Sequence, residues 1–222
     1  MITIEPSLLA ANPLRLRYYI LACAEAGAES LEIDVMDGIF VQNFGFSPSV
    51  VRIIHSISTL ELHVHLIVTN PERYIQSFIE AGATRIAIHQ ESCFNLKEVI
   101  AHIHQMNAQA CVVLNPDTPL SSIERVLGFV DMVQLMTVYP GCSGQEYLVA
   151  KGPKILRLKQ MLLECDLDTP IAVDGGITVE TAPLAVLAGA TVLISGNAVF
   201  ECDGTVGQNY DALLHSVLKA QS

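Results

Sequence analysis

Glu25-Ala26-Gly27-Ala28, followed after one residue by Ser30-Leu31-Glu32-Ile33-Asp34, is the first of three copies of one sequence element. Glu80-Ala81-Gly82-Ala83 leads into Thr84-Arg85-Ile86-Ala87-Ile88-His89. Leu187-Ala188-Gly189-Ala190 leads into Thr191-Val192-Leu193-Ile194-Ser195. Each reads as a helix end with glycine just past the last turn, then a short β-rich run. Asn12-Pro13 and Asn70-Pro71 mark helix starts, with a capping Asn before a Pro at the first helical position. Leu14 through Ala24, Tyr74 through Ile79 and Ile155 through Leu163 carry apolar residues at helical spacing.

Working outward from these copies gives eight strand candidates: Ile2–Ile4, Leu31–Val35, Leu62–Ile67, Ile86–His89, Ala110–Leu114, Met132–Met136, Ile171–Val173 and Val192–Ser195. They alternate with helical segments, which implies a parallel sheet. Eight units of about 28 residues each fit a minimal strand–helix repeat. The expected fold is therefore α/β, a single (β/α)8 TIM barrel. The competing open, doubly wound sheet would want a glycine-rich turn after the first strand. Pro6-Ser7-Leu8-Leu9 has none. No linker, charge block or low-complexity stretch interrupts the chain, so residues 1–222 are expected to form one domain.

Composition narrows the function. The chain is 51% apolar and 16% charged, which excludes a disordered protein. Its apolar runs are short and punctuated, far from the ~20 residues that span a bilayer. The N-terminus reads as no signal peptide, so a cytoplasmic protein is expected. A net charge of -11 argues against nucleic acid as a partner. A phosphorylated substrate would have to be held locally, by backbone N–H groups. The six cysteines lack a C-x-x-C pair and read as small buried hydrophobes in a reducing compartment.

In a barrel the site lies where the strands end. The chain puts Ser7 after its first strand, Glu32, Asp34 and Asp37 on or after the second, His63 and His65 on the third, and His89 and Glu91 after the fourth. Asn115, Met136, Asp174 and Ser195 follow on the remaining strands. Side chains two apart on a strand share a face, so Glu32 pairs with Asp34 and His63 with His65. Two carboxylates, two imidazoles and Asp174 could converge on one divalent cation, with Zn, Mn, Fe, Co or Mg as candidates. The glycine loops Pro140–Gln145, Asp174–Gly176 and Ser195–Asn197 follow the last three strands, the usual phosphate seat of such barrels.

These residues resemble the ribulose-phosphate 3-epimerase family over nearly the whole chain. The resemblance is carried by Pro6–Leu9, Asp34–Gly38, Phe40-Val41 with Asn43, His65-Leu66, Asn70–Glu72, Val113–Pro116 with Thr118–Leu120, Met136–Val138 with Pro140-Gly141, Gly144-Gln145, Val173–Ile177 and Ser195-Gly196. It implies an isomerase of carbohydrate metabolism in the pentose phosphate pathway. Such an enzyme interconverts D-ribulose 5-phosphate and D-xylulose 5-phosphate through a cis-enediolate. The resemblance assigns proton transfer to Asp34 and Asp174, and metal binding to Glu32, Asp34, His65 and Asp174. Substrate contacts fall to Ser7, His65, Met36, Met136, Gly141, Ser143, Gly144, Gly175, Gly176, Gly196 and Asn197. It also implies a homo-oligomer whose partner is a small ketose phosphate, with no membrane or nucleic acid.

The chain departs from the family at several of these places. Glu32 stands where the family has His, and His63 where it has Asp. If the two strands are neighbours, Glu32 and His63 are expected to form a hydrogen-bonded couple, with His63 behind Glu32 or itself on the metal. Ile39, Gln42, Ile67, Tyr139 and Cys142 replace a family His, Pro, Met, Glu or Asn, and Phe. These changes keep two alternatives open: a 3-epimerase of another ketose phosphate such as allulose 6-phosphate, or a non-catalytic phosphate-binding barrel.

Overall fold

The computed structural model describes residues 2–221. Its strands are β1 (Thr3–Pro6), β2 (Ser30–Met36), β3 (Glu61–Ile67), β4 (Arg85–His89), β5 (Gln109–Leu114), β6 (Met132–Met136), β7 (Ile171–Asp174) and β8 (Val192–Ser195). They form one parallel sheet in the order β1-β8-β7-β6-β5-β4-β3-β2. A parallel bridge between Ser7 and Glu32 joins its two ends. The sheet is thus a (β/α)8 barrel, and the open doubly wound arrangement does not hold.

The helices are α1 (Leu16–Glu25), α2 (Pro48–Ile57), α3 (Ile75–Ile79), α4 (Leu96–Gln105), α5 (Gly152–Glu164), α6 (Ala182–Leu187), α7 (Asn197–Phe200) and α8 (Val206–Gln221). No α-helix lies between β5 and β6, where two 3-10 turns, Leu120–Ser122 and Glu124–Phe129, make the crossover. None of the helices among the described residues is long and apolar enough to cross a membrane.

Local chemistry accounts for the element ends. Gly27, Gly82 and Gly189 have φ of 87°, 113° and 116°, the left-handed conformation that ends a helix without steric penalty. Asn12 caps as expected, its side chain accepting from Leu14 N–H at 3.0 Å. Asn70 does not. It adopts φ 52°, makes no side-chain cap and precedes a 3-10 turn, because Asn also tolerates the left-handed region. The helix predicted from Leu14 begins at Leu16, and Leu14 itself is exposed.

Strand alternation divides the protein into two cores. Outward residues such as Leu31, Ile33, Leu62, Val64 and Leu66 pack under the helices. Inside the barrel, β4 to β8 supply the apolar Ala87, Cys111, Val113, Met132, Met136, Ala172, Val192 and Ile194. The other side of the interior, from β1 to β4, holds the buried polar groups Glu5, Glu32, Asp34, His63, His65 and His89. All six cysteines are free. Only Cys23 and Cys111 are fully buried, and Cys142, Cys165 and Cys202 are exposed, against the expectation that the set lies in the core.

Candidate active site

Parallel registry sets β2 against β3 so that Glu32 stands beside His63 and Asp34 beside His65. All four side chains face the barrel interior. β7 brings Asp174 in from the other side. His65 Nδ1 lies 3.1 Å from Glu32 Oε1, 3.0 Å from Asp34 Oδ1 and 3.8 Å from Asp174 Oδ2. Glu32, His65 and Asp174 offer ligand atoms all within 4.8 Å of one another. Asp34 adjoins this set through its contact with His65.

The electrostatics follow from burial. Removing a carboxylate from water disfavours its charge, and a neighbouring carboxylate disfavours it further. Burial and the Asp34 charge therefore push Glu32 well above the usual carboxylate range. The same two causes raise Asp174 to about 7. Burial opposes a charge on His65, but its contacts with Asp34 and Glu32 prevail and raise it to about 10. Glu32 Oε2 is buried with no hydrogen-bond partner among the described residues. An orphaned carboxylate oxygen beside two carboxylates and an imidazole is a donor set that fits a divalent cation.

The expected Glu32–His63 couple does not form. His63 Nδ1 instead meets Glu5 Oε2 at 2.7 Å. Arg85 donates to the other Glu5 oxygen, also at 2.7 Å. His63 Nε2 has no partner among the described residues. His63 is therefore neither behind Glu32 nor in the candidate cation group. Its ring reaches past β2 to β1, where an ionised carboxylate is available. Glu5 sits alone between apolar neighbours and belongs to no motif in the sequence. Two further residues went unassigned. Gln134 donates to Asp174 Oδ2 at 3.2 Å, and its period-two spacing from Met136 was the available signal. His89 Nε2 lies 2.9 Å from His65 Nε2.

Asp37 serves the loop after β2. Its carboxylate accepts from the Ile39, Phe40 and Thr69 N–H groups and the Thr69 hydroxyl at 2.7–2.9 Å. These bonds outweigh desolvation and hold it at about 2.

Above the cluster opens a cleft of about 220 Å³. Of the residues expected to touch substrate, Ser7, Met136, Gly141, Ser143, Gly144, Gly175, Gly176, Gly196 and Asn197 line it, as do Asp34 and Asp174. Ser7 Oγ donates to Asp34 Oδ2 at 3.4 Å. His65, Met36 and Glu32 are buried and do not reach its wall. Ile67 and Ile194 add apolar wall, and Cys142 lies in the glycine loop. Gly176 has φ 66°, and a Cβ there would come within 2.4 Å of Tyr147 N, so the loop backbone can approach this closely only as glycine. Gln145 donates to the Tyr139 and Cys142 carbonyls at 2.6 and 3.0 Å, and Asn43 to the Gly141 carbonyl at 2.8 Å. These bonds hold the loop in place.

Residues 3–200 match the model of the Ribulose-phosphate 3 epimerase family. The ribulose-phosphate 3-epimerase of Bacillus subtilis is 42% identical over 201 residues, which cover 90% of this chain and 93% of that protein. The chloroplastic ribulose-5-phosphate-3-epimerase of Arabidopsis thaliana is 41% identical over 201 residues, 90% of this chain and 72% of the relative. The Methanocaldococcus jannaschii ribulose-phosphate 3-epimerase is 41% identical over 203 residues, 91% and 86% respectively. Among solved structures, the 3-hexulose-6-phosphate synthase of Salmonella typhimurium superposes with a TM-score of 0.73 over 99% of this chain and 100% of that one. At 16% identity this likeness shows the barrel fold alone.

Proposed function

The chain belongs to the ribulose-phosphate 3-epimerase family, and on that premise we propose that it interconverts D-ribulose 5-phosphate and D-xylulose 5-phosphate by proton transfer at C3. The observation that carries this reading is that Asp34 and Asp174 come from strands sharing no edge and open onto the same cleft. Inverting a carbon needs one group to remove a proton from one face and another to return a proton to the opposite face. Two carboxylates on facing walls meet that need.

In one direction Asp34 takes the C3 proton and Asp174 delivers one to the other face; in reverse the roles exchange. In the cation-free cluster, burial and the Asp34 charge raise the Asp174 carboxyl toward neutral pH, the direction a proton carrier needs. Ser7 orients the substrate beside Asp34. Met136, Ile67 and Ile194 form a dry apolar wall against the planar intermediate. The glycine loops after β6, β7 and β8 take the phosphate with backbone groups, which suits a protein whose net charge is -11.

Glu32, Asp34, His65 and Asp174 would hold one divalent cation. When bound, such an ion polarises the substrate's carbonyl and hydroxyl oxygens and so acidifies the C3 proton. Three carboxylates with one imidazole favour harder ions such as Mn or Mg over Zn.

The test is to chelate the purified protein, refill it separately with Zn, Mn, Fe, Co and Mg, and follow ribulose 5-phosphate conversion together with deuterium uptake at C3. Ion-restored turnover with C3 exchange is expected. Absence of both with every ion overturns the reading. Exchange with allulose 6-phosphate alone moves the substrate to a ketohexose phosphate.

A further inference from the structure

An imidazole that binds a cation through one nitrogen must present that nitrogen bare, so something must hold its proton on the other one. His65 turns Nδ1 toward the oxygens of Glu32, Asp34 and Asp174, and turns Nε2 toward His89 Nε2, 2.9 Å away. Two nitrogens at that distance share one proton, so one ring donates and the other accepts. The far side of His89 decides which. Its Nδ1 faces Glu91 Oε2 at 3.3 Å, and an ionised carboxylate only accepts. His89 therefore carries its hydrogen on Nδ1 and offers a lone pair at Nε2. The shared proton belongs to His65 Nε2.

The anchor at the far end is fixed as well. Glu91 Oε1 accepts from the Asn115 N–H at 2.9 Å and from the Thr118 hydroxyl. His89 is fully buried. Its ring lies nearly coplanar with that of His65, 16° between planes and 5.0 Å between centroids, and packs against Phe40 at 5.0 Å. Donation runs one way, from His65 through His89 to the Glu91 carboxylate just after β4, which the loop after β5 holds in place.

We propose that His89 and Glu91 are positioning residues that fix the orientation and tautomer of His65, leaving Nδ1 as its ligand atom. The proposal rests on the cation reading above. Neither residue lines the cleft, and the sequence gives neither a role.

The experiment measures the binding of Mn alone by competition with a chelating dye, and the imidazole tautomers of the Zn-loaded protein by long-range 1H–15N correlation. Wild type is expected to show His65 protonated at Nε2. His89→Leu removes the acceptor and should weaken Mn binding by roughly 10- to 100-fold. His89→Gln, whose amide oxygen can accept from His65, should recover most of that loss. Glu91→Gln, whose amide oxygen can still accept from the Asn115 N–H, should weaken binding several-fold. A purely packing role would be met by Leu and would leave the tautomer unchanged. His65 protonated at Nδ1, or unchanged Mn affinity in both His89→Leu and Glu91→Gln, overturns the proposal while the cation reading stands. Failure of the wild type to bind any divalent ion overturns both.

Discussion

His63 Nδ1 and Glu5 Oε2 meet 2.7 Å apart inside the barrel, although β2 lies between their strands. Arg85 closes the group from β4. Burial alone would raise Glu5, but His63 and Arg85 outweigh it and bring its carboxyl from the ordinary 4.5 down to about 2. The folded state thus favours ionised Glu5, and the unfolded chain takes up the proton first as pH falls. The stabilisation is full above about pH 4.5 and disappears as pH falls from there through about 2. Glu5→Gln is expected to lower stability by about 3–5 kcal/mol at pH 7, as breaking a buried pair does. It should also flatten the pH dependence in that acid window. Urea unfolding at pH 7, 4 and 3 checks both.

Glu32 and His63 are neighbours in register but share no hydrogen bond. Substitutions should therefore separate by readout. Glu32→Gln is expected to weaken divalent-ion binding at least about tenfold with little change in unfolding midpoint. His63→Leu should lower stability by about 1–3 kcal/mol, through the Glu5 contact it removes, and largely spare ion binding. Strong coupling in a double-mutant cycle would contradict this separation.

Asp34→Asn and Asp174→Asn should each lower turnover by at least about 10²–10⁴-fold, the usual worth of a positioned acid or base. Solvent exchange at C3 distinguishes their roles. A variant that keeps its base for one substrate should still exchange that hydrogen without completing inversion. Near-wild-type turnover in either variant would remove the two-carboxylate scheme.

Cation binding should release protons. His65 is raised to about 10, Asp174 to about 7, and Glu32 also lies above its ordinary range. The cation-free cluster therefore holds protons at neutral pH, and an incoming ion must displace them. Apparent affinity should rise between pH 6 and 9. Calorimetric titration in two buffers of different ionisation enthalpy measures the protons released. An affinity independent of pH would contradict the cluster described.

Gly45 marks where the chain runs back along the end of β2. A Cβ there would sit 2.3 Å from the Asp34 carbonyl oxygen and 2.7 Å from Met36 N. Both are backbone atoms with no room to move. Gly45→Ala should destabilise by about 1–3 kcal/mol and displace Asp34, lowering kcat more than it raises KM. Chemical denaturation and steady-state kinetics test the two effects.

Backbone periodicity made much of this protein legible from its residues. Alternation along a strand is a local property, so Glu32 with Asp34 and His63 with His65 could be placed on one face each before any contact was seen. Left-handed glycines ended the helices where expected, and eight strands closed as a ring. Short apolar turns were harder to read. Ile123, Val126 and Leu127 are buried at near-helical spacing but lie in or beside a 3-10 segment containing Gly128. The Asn-Pro signal served a cap at Asn12 and a left-handed turn at Asn70.

The chain alone thus determined the fold, the face on which each strand residue lies and the end of the barrel that gathers the polar groups, because each depends on local geometry repeated eight times. Only the tertiary structure decided the partners: His63 with Glu5 rather than Glu32, His65 with His89, and Asp174 with Gln134. Those pairings depend on the stagger of the closed ring and on side-chain length across it. Spacing along the sequence encodes neither.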